Sequence, residues 1–279
     1  MPHAKITALN IYPVKSCRGV ALDRARLTAT GFQYDRNWMI VDDNGRFQTQ
    51  RELPLLSLIK TEVGGSGLKL SAHGMPDLVV PLAADGEKVS VCVWRDTCRG
   101  IDTGATSAAW LSEFLKKHLR LVCFDASTTR SCSPEWVGSV PAQSMFSDEF
   151  PLLVLSEGSL ANLNQRLAAP LPMNRFRPNI VVSGLKPHDE DRIFELYSPN
   201  VRLRLVKPCT RCVITNTDQA TGRVGEEPLR TLKSYRWDAK MRGVTFGQNA
   251  IILKGADSEL RVGQEMEIVW NPGSGGAAV

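Results

Sequence analysis

The sequence predicts a mainly β protein with a few helices, an α+β chain of barrels or a sandwich rather than a parallel sheet. Three observations predict it. Apolar runs of strand length recur along the whole chain, Gly, Asn and Asp turn signals separate them, and only two segments carry helical spacing.

In the first part, residues 6–11, 38–41, 68–70, 78–80 and 89–94 read as strands. Between them lie Asp43-Asn44-Gly45, Gly64-Gly65-Ser66-Gly67 and Ala84-Asp85-Gly86, the first a good hairpin signal. Residues 107–119 read as a helix, with Trp110, Phe114 and Leu115 at helical spacing and Glu113 and Lys117 as an i,i+4 pair. Residues 126–148 are polar, Ser-rich and broken by Pro, which predicts a loop and a domain boundary. The second part opens with a buried strand at 152–155. Ser156-Glu157-Gly158-Ser159 then starts a helix whose Leu160, Leu163 and Leu167 share one face. Further strands are expected at 179–182, 201–206, 213–217, 250–253 and 266–270. The organisation is therefore 1–125, 126–272 and a disordered tail, 273–279. No internal repeat is visible.

Composition is that of an ordinary globular protein, with 43% apolar and 23% charged residues. A net charge of +5 without a Lys/Arg block suits an anionic ligand and argues against nucleic acid. The start of the chain has no basic region followed by an apolar core, and no run is long enough to span a bilayer. The seven cysteines do not form the dense, even framework of a secreted domain. A reducing, cytoplasmic setting without a membrane is the expectation.

The segment Lys207-Pro208-Cys209-Thr210-Arg211-Cys212 follows a strand-like run and carries the chemistry in question. Nearby cations favour a thiolate, the form that attacks electrophiles and ligates metals. A structural zinc site needs two further Cys or His ligands, yet there is no second Cys-x-x-Cys and the four His are scattered. A thioredoxin pair belongs at a strand-to-helix turn, whereas β-branched residues follow here. Spacing leaves two readings open, one working thiolate or two small buried apolar residues. Elsewhere, Lys15 and Ser16 fall in a turn after a strand, Asp35-Arg36 precedes Trp38, and Arg175 and Arg177 flank Phe176. Ser156 and Ser159 sit where a helix N-terminus offers free N–H groups. Cations and hydroxyls at strand ends are what a phosphate-bearing cofactor requires.

With these residues the chain resembles the MOSC (molybdenum cofactor sulfurase C-terminal) family with its N-terminal β-barrel domain, such as the mitochondrial amidoxime-reducing component and YcbX-like proteins. The resemblance runs from Ile6 to Val269. It rests on the segments 12–20, Asp35-Arg36, 155–157, 176–184, 207–212, 228–236 and 246–249. It implies an N-terminal β-barrel-like domain at 1–125 and a MOSC β-barrel domain at 126–272 that binds the molybdenum cofactor (Mo-molybdopterin). Cys212 is implied as the metal ligand and catalytic residue, a role that suits a soft thiolate. Lys15, Ser16, Arg36, Ser156, Arg177, Asn179 and Arg211 match cofactor-contacting segments, with Gln248 and Asn249 as further candidates; Cys209 receives no redox role.

The implied activity is reduction of N-hydroxylated compounds such as amidoximes, hydroxylamines or N-hydroxylated bases. A ferredoxin domain and a membrane anchor, as carried by such relatives, are not expected in this chain. Electrons are therefore expected from a separate donor protein of ferredoxin, flavoprotein reductase or cytochrome type. Alternative readings are a sulfur or persulfide transferase using Cys212, and a non-catalytic carrier of the cofactor.

Overall fold

The computed structural model describes residues 2–65 and 67–272; the tail expected to be disordered, 273–279, lies outside the described residues. The fold is mainly β, and its centre is a closed barrel of seven strands. Around the barrel run Leu152–Ser156, Ile180–Ser183, His3–Ile11, Glu265–Trp270, Ile193–Tyr197, Arg202–Thr210 and Gly243–Lys254, and the last pairs back onto the first. Closure removes the sheet edges. Strands alternate inward apolar and outward polar residues, as in Arg202–Thr210, where Leu203 and Leu205 are buried between the more exposed arginines 202 and 204. Ile6, Leu9, Val154, Ile180, Val182, Leu196, Leu203 and Met266 form the barrel core.

Only Leu152–Ser156 and Ile180–Ser183 are parallel neighbours in this barrel, and the helix Glu157–Asn164 lies in the connection between them. A parallel pair needs such a crossover. The first strand of the chain is a stave of this barrel, bonded to Ile180–Ser183 and Glu265–Trp270. The two stretches expected as domains are thus interlocked in space.

The rest of the first part forms a four-stranded sheet of Trp38–Val41, Arg120–Phe124, Asp96–Asp102 and Lys88–Val93. Beside it lies a three-stranded sheet of Lys60–Gly64, Gly67–Ser71 and Leu78–Val80. Trp38, Ile40, Leu68, Trp110, Leu111 and Leu121 pack between them. The expected strands at 38–41 and 78–80 stand as read.

Three expectations are corrected. The helix read at 107–119 spans Ala105–Leu115, because Lys116 turns left-handed at φ 53°. Its expected Glu113–Lys117 pair is replaced by Glu113–Lys116, while Lys117 donates to Gln48. Residues 213–217 are not a strand: Val213–Asn216 is a 3-10 turn. There the Thr215 amide and hydroxyl both donate to the Cys212 carbonyl, so the backbone is satisfied locally and no ladder forms. Polar strands such as Asp96–Asp102 escaped the reading because pairing, not apolar content, makes them strands.

Candidate functional site

One cleft gathers most of the residues singled out in the sequence. Lys15, Ser16, Arg36, Arg177, Asn179, Arg211, Cys212 and Asn249 all line it, together with Cys209, Thr49, the segment 147–150 and the apolar side chains of Leu153, Phe176 and Ile214. Its parts come from the end of the first barrel strand, the turn before Ile180–Ser183, and the end of Arg202–Thr210. Strand ends converge at one rim of a barrel, which is why residues so far apart in sequence meet.

The backbone here is unusual. Ser16, Arg36 and Arg177, each lining the cleft, have φ of 69°, 49° and 55°. L residues adopt this region at a cost of order 1–3 kcal/mol, and such conformers cluster at functional sites. Long-range bonds hold them. Gln50 donates to the Ser16 carbonyl at 2.6 Å and exchanges amide bonds with Gln219, while Arg177 donates to the Cys17 carbonyl at 2.7 Å. Arg36 reaches Asp35 at 2.6 Å and Asn179 at 3.0 Å. Burial pushes Arg177 down to about 10, and the Arg36 charge works in the same direction.

Cys212 lies two residues past the end of the barrel strand Arg202–Thr210, in extended backbone at the start of the 3-10 turn, with its carbonyl held by Thr215. Arg211 donates to Cys209 Sγ at 2.9 Å and to the Phe176 carbonyl at 2.7 Å. The expectation that cations favour a thiolate fails for Cys209. Burial raises its thiol, and the Arg211 guanidinium offsets this only in part. Cys17, fully buried, is pushed up to about 12 by burial and is a core residue.

Ser156 and Gln248 are not among the residues lining the cleft. Ser156 is fully buried, and the helix N-terminus expected to receive an anion is filled by the protein's own carboxylate. Glu190 accepts from Ser156 Oγ at 2.8 Å and from its amide at 3.3 Å. Gln248 donates to Asp191, which is ion-paired with Arg236.

Sequence reading missed Asp148. Lys15, 5% exposed, donates to Asp148 at 2.6 Å and to the Phe146 carbonyl, and Trp94 Nε1 donates to the same carboxylate oxygen at 2.9 Å. The Asp148 side chain is more than half exposed, and the Lys15 charge with the Lys15 and Trp94 hydrogen bonds holds its carboxyl below its ordinary range. Arg130 was also missed; it fastens the segment 144–148 from behind. Neither had a local signal, since the polar segment 126–148 reads as any loop does.

Two cleft-lining groups lack hydrogen-bond partners among the described residues: Arg211 Nε and Ser147 Oγ. The guanidinium groups lining the cleft are what a polar anionic ligand would pair with. Among the described residues no three of His, Cys, Asp and Glu come together as a metal-ligating group. The guanidinium groups and the Cys212 thiol that line this cleft fit an anionic group with a soft ligand beside it.

Comparison with known proteins gives a consistent picture. The family model for the MOSC N-terminal beta barrel domain matches residues 3–118, and that for the MOSC domain matches 141–267. The mitochondrial amidoxime reducing component 2 of Bos taurus is 38% identical over 241 residues, 83% of this chain and 72% of that protein. Component 1 of Homo sapiens is 39% identical over 242 residues, with the same coverage. Component 1 of Mus musculus is 39% identical over 241 residues, 83% of this chain and 71% of that protein. No helix among the described residues is long and apolar enough to cross a membrane.

Proposed function

Because the chain belongs to the MOSC family that includes the mitochondrial amidoxime-reducing components, we propose that it is a molybdenum-cofactor reductase of N-hydroxylated compounds. One observation carries the reading: Cys212 shares a cleft with Arg36, Arg177 and Arg211, and two of these arginines sit at left-handed φ. When bound, the molybdenum cofactor supplies the two-electron chemistry that removes the N-bound oxygen, and a separate protein supplies the electrons.

The chain's own part is holding and shaping. Cys212 is the proposed metal ligand. Arg36, Arg177 and Arg211 present guanidinium edges to anionic groups, and Lys15, Ser16, Asn179 and Asn249 complete the polar lining. Leu153, Phe176 and Ile214 form apolar wall that keeps water from the reacting end. The Lys15–Asp148 pair cancels one buried cation against one carboxylate and so fixes the mouth without adding net charge. Ser156 and Gln248 are assigned to packing, given their own partners, the buried Glu190 and the ion-paired Asp191.

The test compares wild type with Cys212→Ser and Cys209→Ser, all expressed with cofactor synthesis intact. Molybdenum is measured by elemental analysis, released pterin by fluorescence, and reduction of an amidoxime with an artificial electron donor. Cys212→Ser is expected to lose molybdenum or activity, and Cys209→Ser to retain most of both. Normal metal content and turnover in Cys212→Ser would refute the assignment. A persulfide on metal-free Cys212 would point to sulfur transfer, and bound pterin without any reductase activity to a carrier.

A further inference from the structure

Resting on the reading of this cleft as an anion site, we infer that Tyr12 is a positioning residue, its ring holding Arg36 and Arg177 together as one two-pronged clamp. The guanidinium carbons of Arg36 and Arg177 lie 4.3 and 4.2 Å from the centroid of the Tyr12 ring. Tyr12 is 3% exposed, so both contacts are made out of bulk water, where the attraction of a cation for a ring face is strongest.

Two like charges brought this close repel each other, and they are unequally compensated: Arg36 is ion-paired with the buried Asp35 at 2.6 Å, and Arg177 is not. Arg36 shares Asp35 with the Tyr12 amide, which donates to the other oxygen of that carboxylate at 2.8 Å. Among the described residues Arg177 has only neutral acceptors, the Cys17 carbonyl and Gln219. The ring offers each guanidinium a negative face without neutralising it, and leaves N–H edges for a ligand.

The ring itself is fixed at several points. Its hydroxyl donates to the Pro178 carbonyl at 3.1 Å, so it is tied to the residue after Arg177. Gly19 packs so closely that a Cβ there would lie 2.4 Å from Tyr12 Cε1. The Arg36 amide donates to the Tyr12 carbonyl at 2.9 Å. Ring, arginines and backbone therefore form one unit, and its output is the spacing of two cations at the cleft.

Inorganic phosphate is the probe, titrated calorimetrically into the full chain produced in a host that cannot make the pterin. Tyr12→Leu is expected to weaken phosphate binding by about tenfold, because the part of the two cation–π contacts that holds the arginines in their binding arrangement is lost. Tyr12→Phe keeps the ring and is expected to bind within about twofold of wild type, although loss of the Pro178 bond lowers its thermal stability. That split separates positioning from mere support of the fold. Should Tyr12→Leu fail to fold, pentafluorophenylalanine at position 12 keeps the shape and reverses the ring's electrostatics; it too is expected to lose phosphate affinity. If the folded variants bind phosphate as wild type does, the role of Tyr12 is overturned while the anion site stands. If wild type itself binds no phosphate, the anion-site reading falls and the clamp with it.

Discussion

Replacing Arg130 tests whether the cleft wall is held from behind. Its side chain is 6% exposed and donates to Ser144 Oγ, to the carbonyls of Met145, Ser147 and Asp148, and to Asp96. Charge-assisted bonds contribute about 1.5–3 kcal/mol each in isolation. The four loop acceptors belong to one short segment and rehydrate together, so the losses do not add. Asp96 is half exposed and contributes little. Arg130→Ala is therefore expected to cost about 3–5 kcal/mol, the range for removing one partner of a buried charged network. For a chain of this size that lowers the melting temperature by roughly 10 °C. Arg130→Lys should recover less than half, because an ammonium cannot fork across several carbonyls. Urea unfolding at 25 °C measures the loss, and phosphate titration reports whether the wall at 147–150 still shapes the cleft. A cost below about 1 kcal/mol for Arg130→Ala, with phosphate affinity unchanged, would refute the reasoning.

Glu190 and Gly158 give further checks. Burial raises the Glu190 carboxyl above its ordinary value of 4.5, with its bonds to Ser159 and Ser156 opposing. An acid raised on folding favours the folded state most below its unfolded value, and that advantage is lost as pH rises through the folded value. The stability of wild type relative to Glu190→Gln should thus fall as pH climbs from about 4.5 towards the raised folded value, measured by urea unfolding at stepped pH. A flat difference would contradict the assignment of Glu190 as the titrating group. Gly158→Ala, in the helix Glu157–Asn164, would gain about 1 kcal/mol on propensity alone. A Cβ there would lie 2.6 Å from the Leu185 carbonyl oxygen, so a net loss of about 1–3 kcal/mol is expected in the same assay.

Much of the fold was legible because its signals are local. Runs such as 38–41, and the Asn and Gly of the turn at 43–45, declare strand and hairpin from neighbours alone. The stretch after Cys212 misled for a related reason. β-branched residues suit a strand, but among the described residues the stretch pairs only through the single bridge Thr217–Val224, and the Thr215 hydroxyl and amide close a turn instead. Ser156 looked like an open anion site because nothing in its own segment announces Glu190, 34 residues away.

The sequence by itself determined that the protein is mainly β, which segments carry cations and thiols, and the family those segments resemble. All of these rest on residue type and short-range period. Only the tertiary structure decided which of those residues share a cleft. Barrel closure and strand register bring Lys15 to Asp148 across 133 positions, seat Arg36 and Arg177 on one ring, and turn Ser156 and Gln248 inward to partners of their own. Long-range pairing sets distances that no local pattern encodes, and the chemistry of this cleft depends on those distances.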